Sequence, residues 1–265
     1  MLEVKDLNVS IDKKIILKQI NLKIGDHEIV SLVGPNGCGK TTILKAIFNH
    51  FTIKKTGQVI FNGKDITNSL PQEIAKCGIH MMQQNPETIV GLKTMDLLQA
   101  LLKNQDKTKQ MSDFYVKVLK RLSDLGLTND ILEREVNFNW SGGEKKKFQV
   151  LLMELCAPKL ILVDEIDTGL DVDALKKVCE LIKEYYDNHP DTSIIVISHS
   201  NFIYHYLTPT HAYLILNKHV VREGNYELVK DIADHGYAKY RREVGNEGVS
   251  DDEFNNQNYQ DELKQ

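Results

Sequence analysis

Apolar and polar positions alternate along the first 25 residues, which predicts short antiparallel strands. Leu2 and Val4 are separated by polar neighbours, and the same alternation returns over residues 20–24 after a polar turn at residues 12–14. Further along, Asn62-Gly63 lies between apolar positions in GQVIFNGKDI, a strong hairpin signal. The N-terminal part is therefore expected to be an antiparallel β subdomain.

Three continuous apolar runs have a different character and predict strands buried on both faces. They are IVSLV at residues 29–33, LILVD at 160–164 and SIIVIS at 193–198. Helical patterns follow the first two runs, at residues 40–49 and 173–188. This alternation predicts a parallel α/β core, and AYLILNKHVVREG adds a final hairpin that turns at Asn217-Lys218.

From about Pro86 to Cys156, before the LILVD run, the pattern becomes helical. Phe114, Val118, Leu122 and Leu125 recur at three- and four-residue spacing, and Gly126 follows as a helix end. After Arg242 the chain is acidic and rich in Asn and Gln, which predicts a flexible tail. The expected parts are a discontinuous core (1–85 and 158–242), a helical insertion (86–157) and a tail (243–265).

Composition and charge limit the classes of function. The 265 residues carry a formal net charge of −4, so no global basic field attracts nucleic acid. No apolar window is long enough to span a bilayer, and the N-terminus lacks the pattern of a signal peptide. Four dispersed cysteines argue against a disulfide framework or zinc knuckle and favour a reducing cytoplasm.

The stretch GPNGCGKTT has the strongest chemical signal in the chain. It satisfies G-x-x-x-x-G-K-[ST] between a predicted strand and a predicted helix, the context in which this motif binds nucleotide phosphates. Glycines let backbone N–H groups approach phosphates, and the helix N-terminus adds partial positive charge. Lys40 is expected to bridge the β- and γ-phosphates, and the Thr41 hydroxyl to ligate Mg²⁺. The predicted phosphate-binding residues are Gly34, Pro35, Asn36, Gly37, Cys38, Gly39, Lys40, Thr41 and Thr42.

A second group of candidates follows the buried strands. Asp164 ends LILVD, where it could hold Mg²⁺, and Glu165 could polarise an attacking water. His199 follows SIIVIS, so a parallel neighbouring strand would bring it to the same edge as Glu165, where it could contact the γ-phosphate. Gln84 in MMQQNPE could touch Mg²⁺ or water and sense the γ-phosphate, with Gln83 as a rival for that role.

Together these motifs resemble those of ABC-type ATPases over roughly residues 1–240. GPNGCGKTT, QNP, WSGGEKKK, LILVDE, TGLD and His199 occur in the order and approximate spacing of that family. The resemblance implies an α/β P-loop ATPase with a mixed sheet core, an N-terminal antiparallel β subdomain and an inserted helical subdomain. It identifies Ser141, Gly142 and Gly143 as the signature motif and Asp171 as part of the D-loop. It further implies a head-to-tail dimer, with each ATP between one copy's phosphate loop and the other copy's signature motif.

Individual residues within these motifs resemble those of one branch of the family, the SufC ATPases of the SUF iron–sulfur cluster assembly system. SGGEKKK has Glu144 where most transporter ATPases have Gln, and DEIDTGLD differs from the transporter-like DEPTSALD. This likeness implies a soluble scaffold partner similar to SufB and SufD, which the ATPase drives by ATP-dependent dimerisation. The alternative is an ATPase subunit of an ABC membrane transporter, since the hydrolytic motifs would be identical.

Two other functions fit the sequence less well. Nucleic-acid-associated ABC proteins usually carry two cassettes or a long coiled coil, and this chain has one cassette, no heptad run and a negative net charge. A non-hydrolysing regulatory cassette is disfavoured because Lys40, Glu165 and His199 are all present. The family often stacks adenine on an aromatic residue, but the stretch around Ile11 has none, which predicts apolar contact only and looser base selectivity.

Overall fold

A six-stranded mixed sheet forms the centre of the computed structural model, which describes residues 1–104 and 111–246. Its strand order is β12-β11-β3-β10-β9-β6, and all neighbours pair in parallel except β11 and β12. The strands are β3 (Ile29–Val33), β6 (Ile79–Met82), β9 (Leu160–Asp164), β10 (Ser193–Ile197), β11 (His211–Leu216) and β12 (His219–Gly224). The predicted parallel core is confirmed, and the hairpin at Asn217-Lys218 adds the antiparallel edge.

Each buried strand contributes alternate side chains to two hydrophobic cores on opposite faces of this sheet. Ile29 and Val33 belong to one core and Val30 and Leu32 to the other. Every residue of β3, β9 and β10 is buried, which explains the continuous apolar runs. The helices are α1 (Lys40–Ile47), α2 (Pro71–Lys76), α3 (Thr94–Asn104), α4 (Met111–Asp124), α5 (Gly142–Cys156), α6 (Val172–Asn188), α7 (Asn201–Tyr206), α8 (Tyr226–His235) and α9 (Ala238–Asn246).

The N-terminal residues form the expected antiparallel sheet, in the order β2-β1-β4-β5. Asp12 and Lys13 both have positive φ angles, 47° and 69°, which a tight two-residue hairpin turn requires. The Asn62-Gly63 hairpin is also present, with Phe61 paired to Lys64. The strands are β1 (Leu2–Ile11), β2 (Lys14–Ile24), β4 (Lys54–Phe61) and β5 (Lys64–Asp65).

The segment from Pro86 to Cys156 is not helical throughout, so that expectation was wrong in part. It contains α3, α4 and α5 but also a two-stranded antiparallel ribbon, β7 (Ile89–Lys93) with β8 (Glu135–Val136). A short 3-10 turn over Asn129–Leu132 precedes β8. The first strand of the ribbon begins five residues after Gln84, between β6 of the central sheet and α3.

The C-terminal boundary of the folded part also differs from the expectation. Helix α9 continues to Asn246, past the predicted end at Arg242, and Tyr240 is buried in the larger core. The remainder of the predicted tail, residues 247–265, lies outside the described residues. Within the described ranges, no helix is long and apolar enough to cross a membrane.

Candidate active site

The phosphate loop joins β3 to α1, and its backbone fits a bound phosphate chain. Gly39 has φ 104°, an angle that residues with a side chain rarely adopt, and a Cβ atom there would lie 2.7 Å from Leu17 Cδ2, so glycine is favoured. Gly37 has φ 76°, and a Cβ atom there would meet nothing within 4 Å, so this side of the loop is open to a ligand. Burial raises the pKa of the Cys38 thiol, which keeps it protonated and consistent with a small packing residue.

Lys40, the first residue of α1, is buried beneath this loop. Its ammonium donates hydrogen bonds to the carbonyl oxygens of Gly34 at 2.8 Å and Pro35 at 3.0 Å. An ammonium has three donors, so one remains for a phosphate oxygen. The loop therefore holds the charge of Lys40 in place before any ligand binds.

Thr41 and Asp164, the two residues expected to hold Mg²⁺, meet at the sheet edge. The Thr41 hydroxyl donates to Asp164 Oδ1 at 2.8 Å, and burial raises the pKa of Asp164 despite that bond. A buried carboxylate beside a hydroxyl offers the oxygen ligands that Mg²⁺ takes, with substrate phosphates and water completing the octahedron. Across the described residues no group of three or more His, Cys, Asp or Glu side chains could hold a metal.

Glu165 lies between two of the predicted candidates. Its Oε2 accepts a hydrogen bond from Gln84 Nε2 at 2.7 Å, and His199 Nε2 lies 3.3 Å from its Oε1. The parallel pairing of Ile197 with Asp164 brings His199 to this edge, as the sequence predicts. Glu165 has φ 43°, a strained angle for a residue with a side chain and one typical of functional sites. Of the two glutamines, Gln84 is the one whose side chain reaches the carboxylate.

A turn after β10 orients His199, through residues that the sequence pattern did not single out. The Ser198 hydroxyl donates to Asp167 Oδ2 at 3.0 Å and accepts from the backbone N–H of Ser200 at 2.9 Å. This network ties the His199 turn to the loop after β9. Nothing in the local sequence signals it, because the two partners lie in loops after different strands, 31 residues apart in the chain.

The signature residues lie at the start of α5, and no hydrogen bond among the described residues joins them to the phosphate loop. Ser141 caps the helix, its hydroxyl accepting from the N–H of Glu144 at 3.2 Å. A Cβ atom on Gly142 would lie 2.7 Å from the carbonyl oxygen of Gly169, whereas one on Gly143 would meet nothing within 4 Å. Ser141 and Gly142 are exposed. The helix start is therefore open on one side to an approaching anion.

Asp171 has a local role in the structure. Its side chain accepts from the N–H of Ala174 at 2.7 Å and caps α6. It makes no hydrogen bond to the phosphate loop among the described residues. The carboxylate and phosphate-loop residues thus form one cluster, and the signature residues and Asp171 lie outside it.

The sequence pattern did not show which of the lysines at 145–147 makes an internal contact, and in the structure Lys146 makes one. The side chain is buried, and its ammonium donates to the carbonyl oxygens of Gln83 at 2.8 Å and Gln84 at 2.6 Å. Burial lowers the pKa of Lys146 to about 8. Of the three consecutive lysines in the signature segment, this one connects α5 to the backbone beside Gln84.

A family model, curated relatives and solved structures all match this chain and point to the same family. The family described as "ABC transporter" matches residues 17–168. The chain is 34% identical to "Probable ATP-dependent transporter ycf16" of Cyanophora paradoxa, over 89% of this chain and 93% of that one. It is 33% identical to "Probable ATP-dependent transporter SufC" of Escherichia coli K12, over 89% and 97%. The dimeric structure of a bacterial ABC transporter cassette superimposes with a TM-score of 0.70 at 21% identity, over 85% of this chain and 99% of that one.

Proposed function

We propose that this chain, which belongs to the ABC transporter family and hydrolyses ATP, closes with a second copy around ATP to drive a SUF-type scaffold protein. The chain belongs to this family because the family model matches residues 17–168 and the relatives at 33–34% identity cover 89% of the chain. The observation that carries the proposal is that two elements suited to phosphate binding lie apart. The phosphate loop leads into Thr41, whose hydroxyl bonds to Asp164, the neighbour of Glu165. At the start of α5 the N–H groups of Gly142 and Gly143 have no acceptor among the described residues.

Hydrolysis is assigned to the residues of the carboxylate cluster. The loop N–H groups and the α1 N-terminus bind the phosphates, and Lys40 neutralises charge on the transferring group. Glu165 accepts a proton from the attacking water, and Gln84 and His199 hold the carboxylate in place from either side. Thr41 and Asp164 would hold Mg²⁺, which when bound draws charge from the phosphate oxygens. Gln84 is also a candidate Mg²⁺ ligand once its amide leaves Glu165.

The start of α5 is assigned to the ATP of the second copy. The N–H groups of Gly142 and Gly143 have no acceptor among the described residues, and the capping of Ser141 leaves them pointing out of the first turn. Asp171, adjacent in sequence to the loop that packs on Gly142, completes this face. A cassette of the same fold is described as dimeric, which supports a dimer of this chain.

Ser141→Arg tests this assignment. The larger cation at the exposed helix start should block approach of a second copy, while the phosphate loop of the same chain is untouched. We expect ATP binding by the monomer to be unchanged and ATP-dependent dimerisation to be lost, measured by equilibrium binding and by sedimentation velocity. Asn68→Arg, at an exposed turn before α2, is the matched control. Loss of monomer ATP binding in Ser141→Arg would contradict the assignment.

The β7–β8 ribbon is assigned to the scaffold partner. Ile89, Val90 and Phe138 are large apolar side chains that are 43%, 73% and 47% exposed. Asn137 Nδ2 donates to the carbonyl of Glu87 at 2.7 Å, so the ribbon is tied to the loop that follows Gln84. Movement at Gln84 can therefore reach a protein docked on the ribbon. We propose a cytoplasmic scaffold similar to SufB and SufD.

Val90→Glu tests this docking surface. A carboxylate in an apolar contact should remove partner capture without changing the fold, because Val90 is largely exposed. The measurement is affinity purification from the native cell with partners identified by mass spectrometry. Phe51→Glu, at an apolar side chain 87% exposed elsewhere, is the control and should retain the partner. Equal capture by both variants would contradict the assignment.

The SufC name of one relative supports the scaffold function. The alternative function is that of an ATPase subunit of an ABC membrane transporter, since the names of both relatives also carry the word transporter. The same purification separates the two. A soluble SufB- or SufD-like partner supports the scaffold function, and a permease that copurifies only in detergent supports the transporter function.

A further inference from the structure

Arg134 connects three parts of the segment that leads into the signature motif. Its Nη1 lies 2.7 Å from Glu144 Oε1, and its Nη2 donates to the carbonyl of Asn139 at 3.2 Å. The guanidinium carbon lies 5.3 Å from the ring centre of Trp140, which is buried. The side chains of Arg134 and Glu144 are each 29% exposed, so water screens this pair only partly.

The backbone of Arg134 is fixed as firmly as its side chain. Its carbonyl oxygen accepts hydrogen bonds from both the N–H and the hydroxyl of Thr94, each at 3.0 Å. Thr94 is fully buried at the start of α3. The guanidinium is therefore presented to Glu144 from a rigid position.

Glu144 places a negative charge where the helix would otherwise attract an anion. Its Oε2 accepts from the backbone N–H of Ser141 at 2.7 Å, so the carboxylate folds back over the first turn of α5. The hydrogen bond from Arg134 is the main reason that the pKa of Glu144 lies below its ordinary value, so the carboxylate is ionised at neutral pH. A glutamine at this position would make the same cap without the charge.

We propose that Arg134 is a positioning residue for the composite nucleotide site, neutralising and orienting Glu144 so that the start of α5 accepts the triphosphate held by the second copy. This inference rests on the proposed function. An unpaired carboxylate in the same first turn as Gly142 and Gly143 would repel the phosphates, and pairing with a guanidinium removes that repulsion. The ion pair also holds the carboxylate on Ser141, which keeps the cap formed.

A mutant cycle in the non-hydrolysing Glu165→Gln protein separates charge neutralisation from packing. Arg134→Met should weaken ATP-dependent dimerisation about tenfold, because it leaves Glu144 unpaired beside the phosphates. ATP binding to the monomer should not change. Adding Glu144→Gln to Arg134→Met should restore dimerisation, since the charge that Arg134 neutralises is then gone. Dimerisation is measured by sedimentation velocity and monomer binding with a fluorescent ATP analogue.

Arg134→Lys is a milder variant that keeps the charge and loses the two-pronged geometry. It should dimerise more tightly than Arg134→Met, and it replaces the methionine variant if that one does not fold. Wild-type dimerisation in Arg134→Met, or a double variant as weak as Arg134→Met, would overturn the inference. A Glu165→Gln parent that stays monomeric with ATP would instead overturn the composite site, and the inference with it.

Discussion

Glu165→Gln is expected to abolish ATP turnover and to trap an ATP-bound dimer. The carboxylate is the group placed to take a proton from water, and general-base catalysis contributes roughly 10²–10⁴-fold to the rate. A glutamine amide keeps the size of the side chain and its hydrogen bonding to Gln84, but it has no basic oxygen of comparable strength. Since the two copies would separate only after hydrolysis, the variant should accumulate as a dimer.

The measurement is size-exclusion chromatography of the variant with ATP, with turnover assayed in parallel. ADP in place of ATP is the matched control and should leave a monomer, because ADP lacks the γ-phosphate that the start of α5 would bind. An exclusively monomeric variant in ATP would contradict the trapping mechanism. Wild-type turnover would contradict the role of Glu165.

Lys40→Ala is expected to lower turnover by roughly 10²–10³-fold or more, the effect of removing one preorganised charge from a transferring group. The ammonium is buried and held by two carbonyls of the loop, so no neighbouring cation can replace it without rearrangement. Removing it also leaves those two carbonyls, of Gly34 and Pro35, without a donor. Weaker ATP binding should therefore accompany the lost turnover.

Steady-state phosphate release and equilibrium ATP binding, measured on the same preparation, test this prediction. Lys54→Ala, at an exposed lysine of β4, is the control and should match the wild type. Wild-type turnover in Lys40→Ala would refute the assigned role.

The sequence predicted these strands and hairpins because apolar runs and turn residues, which determine them, lie within a few neighbouring positions. The run at residues 29–33 is buried on both faces, and the turns at Asn62-Gly63 and Asn217-Lys218 have the positive φ angles that such hairpins need. The β7–β8 ribbon was not predicted, since Ile89 pairs with Val136 across two helices. Its exposed apolar residues also lack the alternation that identifies a strand.

The sequence identified the phosphate loop and carboxylates because their motifs have fixed spacing. It left Gln83 and Gln84 as rivals, since only the direction of each side chain decides which one reaches Glu165. It gave no role to Arg134 or Lys146, whose partners are a cap residue and backbone carbonyls distant in the chain. Contacts of that kind leave no local pattern in a single sequence.

The claim that each active site takes its phosphate loop and its signature motif from different copies has a direct test. Lys40→Ala and Ser141→Arg proteins are assayed for ATP turnover separately and as an equimolar mixture. Each alone should be nearly inactive. The mixture should recover activity, because a mixed dimer pairs the intact phosphate loop of the Ser141→Arg copy with the intact signature motif of the Lys40→Ala copy, and this one complete site can hold the pair together where the Ser141→Arg homodimer has none. Random pairing would set the upper limit at about a quarter of the wild-type rate. A mixture whose rate equals the average of the two separate preparations would contradict the account.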